Sequence, residues 1–207
     1  MTDGDYIDDV ADVADVDDVA DVVARYQQTV RLATTVLTNL AEIESAIGEL
    51  QRRIGELPLF ARGFVSSQVT KGTGQDIPAW SKTVTTLTSV LGQVREAADR
   101  PGAGDAPAPA PASVEPSPDD QALYAAARER VDGDRPRLER LATFMESVPS
   151  KLGAVPPGLL PPDQRAEFLD AIAQQTRALR GALAEMPALS DQLLAISAEL
   201  LAFEARA

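Results

Sequence analysis

The chain has 207 residues, nine of them aromatic and none of them cysteine or histidine, with a formal charge of −13. That length suffices for one domain, or two small ones, around a real core. Disulfides, thiolate and imidazole metal sites, thiol nucleophiles and the commonest general base all drop out, so the composition predicts no metal, no cofactor and no enzyme.

Residues 1–21 hold nine aspartates and no basic residue. Without them the body carries only −4, an ordinary value for a soluble domain. Valine recurs every third residue from Val10 to Val22, each preceded by aspartate. A period of three spreads the valines round a helix, and neither residue favours one, so 1–21 is expected to be a solvated, disordered acidic tail. The tail could dock a basic partner, but it lacks the glycine and terminal glutamate of a calcium-binding loop. No basic face with interleaved aromatics appears, which argues against nucleic acid. No run of eighteen apolar residues suggests a transmembrane helix, and the acidic start is unlike a secretory leader, so a cytoplasmic protein is expected.

From Val22 to Leu57 the residues Val36, Leu40, Ile43, Ile47, Leu50, Ile54 and Leu57 step by four and three. This heptad keeps one narrow stripe against a partner helix. Val30, Leu32 and Leu37 widen the stripe in the N-terminal half, which calls for a second neighbour and marks them as candidate partner-binding residues. Gly48 and Gly55 each cost about 1 kcal/mol in helix propensity, which the burial of seven seam residues outweighs at about 1.5–3 kcal/mol each. Pro58 stops the helix near Leu57.

The segment 58–72 predicts a short helix opened by Pro58, with Phe60 and Phe64, and Val65 and Val69, paired at four-residue spacing. Phe60 and Phe64 either plug the end of a bundle or, with Val65, form an apolar tip for a partner or a membrane surface. Lys71-Gly-Thr-Gly74 is no phosphate loop, because the lysine precedes the glycines and no strand comes before it. Ser67 and Lys71 could share a face as a dyad, but no oxyanion donors accompany them.

Asp76 caps the next helix, with Pro78 in its first turn. Its seam of Trp80, Val84, Leu87, Leu91, Val94 and Ala98 matches the first one, so residues 22–100 are expected to form an antiparallel helical hairpin. Residues 101–118 contain six prolines among alanines and read as an extended linker separating two lobes.

Residues 119–207 repeat the plan. Tyr124, Ala127 and Val131 lead to a break at Asp132-Gly-Asp-Arg-Pro136, beyond which Leu138, Leu141, Met145, Val148 and Leu152 continue in phase as a kinked helix or two stacked ones. A proline-rich turn follows, with Leu159 and Leu160 as candidate partner-binding residues. The return reads Leu169, Ile172, Thr176, Leu179, Leu183 and Met186, then, after Pro187, Leu189, Leu193, Ile196, Leu200 and Phe203. Acid pairs such as Glu167 with Asp170, or Glu42 with Glu49, look solvated.

The fold expected is therefore all-α, two long antiparallel hairpins with heptad seams and an acidic N-terminal tail. The function expected is a non-enzymatic interaction or scaffolding protein that binds another protein or itself through its seams and apolar turns. Two alternatives stand beside it. One is a peripheral coat or adaptor on a membrane or other hydrophobic surface; the other is a small-ligand-binding regulatory bundle, for which Thr29, Thr176 and Gln175 are the only hints of a polar pocket.

Overall fold

The computed structural model describes residues 16–56, 59–99, 118–153 and 162–204. Among them there are five α-helices and no strand: α1 (Val16–Glu56), α2 (Leu59–Thr73), α3 (Ile77–Ala98), α4 (Pro118–Gly153) and α5 (Pro162–Glu204). The chain is all-α, as its heptads require. Residues 1–15, the proline-rich segment 100–117 and the turn 154–161 lie outside the described residues.

Helix α1 packs against α3 and α5, and α4 packs against the same two helices. Four helices thus form a square, with α1 opposite α4 and α3 opposite α5. Direction follows from contacts along the edges. Arg25 of α1 pairs with Glu199 of α5, and Asn39 packs over Gly181, so residue numbers rise on one helix as they fall on the other. Thr85 of α3 bonds Glu44 of α1, and Arg180 of α5 bonds Glu146 of α4. The result is an up-down-up-down four-helix bundle in which the two hairpins share one core. The second neighbour that the wide stripe of α1 demands is α5.

Sequence signals set most helix ends. The Asp76 carboxylate accepts the Ala79 N–H at 2.8 Å, capping α3 behind Pro78. Between α2 and α3 the chain turns at Gly74, whose φ of 79° suits glycine. Helix α1 starts at Val16, six residues before the expected start at Val22.

Of the two arrangements expected around Pro136, a kinked helix or two stacked ones, the stacked pair does not form. Helix α4 runs unbroken through Pro136 and Pro149, and α5 through Pro187. All three prolines are exposed on the outer face. Each deprives the carbonyl four residues back of its donor, but on that face water can take the bond and the inner seam continues.

The seams form the core. Val36, Leu40 and Ile43 of α1, Trp80 to Val94 of α3, Tyr124 to Leu138 of α4 and Leu179 to Leu200 of α5 are buried. At about 1.5–3 kcal/mol for each large side chain, this apolar burial is the main force holding the bundle. Among the described residues one buried position is charged. Asp134 follows Val131 by three residues and is 1% exposed. Two arginines of its own helix cover it: Arg130 lies against Oδ2, and Arg137 donates to Oδ1 at 3.1 Å.

Candidate functional site

The seams are tight around the bundle's middle and loosen toward the end where α1 finishes. On α1, burial is complete through Ile43 and Ile47, but Leu50 and Ile54 are only half-buried. On α5 the same change falls between Leu179, which is buried, and Ile172, Leu169 and Phe168, which are not. The antiparallel pairing puts these two stretches side by side. Val148 and Leu152 of α4 are half-buried at the same end.

The space between them is a cavity of about 600 Å³. That volume falls within the range of small-molecule sites. Its α1 wall is Ile43, Ile47 and Leu50; its α5 wall is Phe168, Ala171 and Ile172. The floor is Ile77 and Trp80 of α3, and the far side is Leu141, Phe144, Met145 and Val148 of α4. Only four polar side chains line it among the described residues: Glu49, Arg53, Glu167 and Gln175.

Trp80 is held in place. Its indole N–H donates to Thr73 Oγ1 at 2.9 Å, and that hydroxyl donates in turn to the Val69 carbonyl at 2.9 Å. Both residues are buried, so the only polar atom of the floor already has a partner. Phe144 is fixed from the opposite side. Helix α2 crosses α4 so closely at Gly72 that a Cβ there would lie 2.1 Å from the Phe144 ring. The ammonium of Lys151 sits 4.9 Å from the ring centroid, within cation–π range.

The rim is charged but internally paired. Glu49 accepts from Arg52 Nε at 2.8 Å and from Arg53 Nε at 2.6 Å. These two bonds hold the Glu49 carboxyl down at about 2, well below its ordinary 4.5. The same bonds push both guanidinium groups upward, and Glu167 across the rim adds a smaller upward pull on Arg53. All these groups are solvent-exposed, so the network shapes the rim more than it stabilises the fold.

No family model, curated protein or solved structure matches this chain. The site therefore has to be judged on its own chemistry. Among the described residues no group of three or more acidic side chains is placed to hold a metal ion, and no helix is long and apolar enough to cross a membrane.

The structure separates the residues singled out in the sequence. Leu32 is buried in the shared core, and Val30 and Leu37 are half-buried beside it. Phe64 is 60% exposed on α2, together with Leu59 at 84%, while Val65 is half-buried. Phe64 is thus a tip residue and not a plug. The side chain of Phe60, and Leu159 and Leu160 altogether, lie outside the described residues. Of the three polar hints, Gln175 lines the cavity, whereas Thr29 and Thr176 spend their hydroxyls on the carbonyls of Arg25 and Ile172. Ile43, Ile47, Leu50, Trp80, Leu141, Met145, Val148 and Ile172 of the lining were already assigned to seams in the sequence. Its openness was not, because a heptad records which residues face inward and not how far apart the helices stand.

Proposed function

We propose that this is a non-enzymatic binding protein that works through the open end of its bundle, taking an apolar ligand into the cavity between α1 and α5. The observation that carries this reading is the cavity itself: about 600 Å³, walled by five helices and mostly apolar, beside seams that are otherwise closed. The long seams first suggest intermolecular pairing, but Val36, Leu40, Leu87 and Leu193 are wholly buried within the chain. What remains for a ligand or partner is the end.

Trp80, the sole tryptophan, lies in the cavity floor and reports on occupancy directly. Titration with a polarity-sensitive naphthalene dye should give a saturable change in Trp80 emission with energy transfer to the dye. Ala46→Phe, which fills the cavity from the α1 side, should abolish it. A folded protein whose Trp80 emission is indifferent to the dye would refute ligand binding at this site.

A second reading rests on a different observation, the exposure of Leu59 and Phe64 on α2 at the same end. In it, α2 lays these side chains on a membrane or another hydrophobic surface, as a peripheral coat or adaptor would. Co-sedimentation with liposomes that is lost in the Leu59→Ser, Phe64→Ser double variant would favour it; equal pelleting of both proteins would remove it.

A further inference from the structure

We infer that the cavity is selective for an uncharged, elongated apolar molecule with a single hydrogen-bonding group, of the long-chain alcohol or amide class, held at Gln175. This rests on the reading of the cavity as a ligand site and narrows it to a chemical class.

Shape comes first. The lining on α1 runs from Ile43 to Arg53, ten residues apart, which is about 15 Å along the helix axis. Across the axis the space is confined by the walls of α4 and α5 and by the indole of Trp80. A slot longer than it is wide suits an extended chain better than a compact ring system.

Charge then decides the head. Glu49, Arg53 and Glu167 are the only ionised groups in the lining among the described residues. A carboxylate head would meet two glutamates, and the one cation in the lining among the described residues, Arg53, already shares its charge with Glu49, which holds its Nε at 2.6 Å. An ammonium head could pair with Glu167, but it would share the rim with the Arg53 guanidinium. Either ion would also leave bulk water for a largely apolar wall, and such a transfer is costly unless a new partner repays it. The rim has already used its strongest partners on one another.

Gln175 is different. It is the one uncharged polar side chain in the lining among the described residues, half-buried on α5. Its amide offers a donor and an acceptor together, which matches a hydroxyl or an amide and needs no change in charge. From there a hydrocarbon chain has Ile47, Leu50, Val148 and Phe168 to run along. The floor cannot compete for the head, since the Trp80 N–H is bound to Thr73.

The test compares four probes of equal length, decanol, decanoate, decylammonium and decane, by Trp80 emission on the full chain near neutral pH. Decanol should bind at least about tenfold more tightly than either ion. Gln175→Leu and Gln175→Ala should each weaken decanol by roughly tenfold and leave decane unchanged. Circular dichroism establishes that both variants remain helical. Decanoate or decylammonium binding as tightly as decanol, or decanol indifferent to both substitutions, would overturn the selectivity while leaving the cavity a ligand site. If no probe alters Trp80 emission, the site itself is refuted and the selectivity with it.

Discussion

Tyr26 of α1 and Tyr124 of α4 meet edge to face across the diagonal of the bundle, with ring centroids 6.4 Å apart and planes at 80°. Helices α1 and α4 share α2, α3 and α5 as packing neighbours, and this pair joins them directly across the diagonal. Tyr124 is almost fully buried, and Tyr124→Ala should cost about 3 kcal/mol through the cavity left behind. Urea unfolding followed by helical ellipticity checks the figure. A loss below about 1 kcal/mol would show that the end collapses around the gap.

The same pair carries a pH dependence. Burial chiefly, with Glu199 and Asp120 adding to it, holds the Tyr26 phenol above its ordinary 10.0. The folded state therefore keeps a proton that the unfolded chain releases. Its contribution is complete below pH 10 and is lost as pH rises further. Tyr26→Phe should flatten the fall in stability above the ordinary value of 10.0, measured as the shift in the urea midpoint.

At the rim the sign is opposite. Glu49 is held at about 2 by Arg52 and Arg53, below its ordinary 4.5, so its contribution is present above pH 4.5 and disappears as pH falls toward 2. Because the carboxylate is exposed, the effect should shrink in concentrated salt. A carboxyl NMR titration should give a midpoint near 2 in low salt that moves upward as salt is added.

Gly72 is required by a contact and not by its backbone. Gly72→Ala would place a methyl 2.1 Å from the Phe144 ring, and the ring, flanked by Lys151, would have to swing away from the cavity wall. A loss of about 1–3 kcal/mol is expected, as for other overpacked contacts. Adding Phe144→Leu should recover part of it. Strict additivity in the double variant would show that the two residues do not meet.

Pro187 lies inside α5 on the exposed face. Pro187→Ala restores a donor to the Leu183 carbonyl and removes the ring from the turn before it. Stabilisation of about 1–3 kcal/mol should follow, seen as a higher melting temperature. An unchanged melting temperature would mean that the helix has fully absorbed the proline.

The heptads made the helices and their inward faces legible. Every apolar seam residue from Trp80 to Ala98 is buried, and Asp76 caps the helix it was expected to cap. Proline misled, because Pro136 and Pro187 read as breaks in a one-dimensional pattern yet sit where the helix can bend into water. Asp134 was hidden inside such a supposed break, although its three-residue step from Val131 and its flanking arginines marked a buried, self-neutralised acid. Of the candidate site, the wall residues were legible and the space was not. Leu50 and Ile54 continue the heptad of Ile43 and Ile47 without interruption, yet they are only half-buried, and nothing in the repeat marks the change.

The pairing of Arg25 with Glu199 sets the first turns of α1 beside the last turns of α5, at the end of the bundle far from Trp80. Helix α1 thus begins and α5 ends at the end of the bundle away from the cavity, and a molecule held at that end presents its cavity outward, like a cup held by the stem. Immobilising it through a terminal tag leaves the rim of Glu49, Arg53 and Glu167 unobstructed, whereas a label at Leu59 or Phe64 sits beside the opening and would interfere with whatever enters.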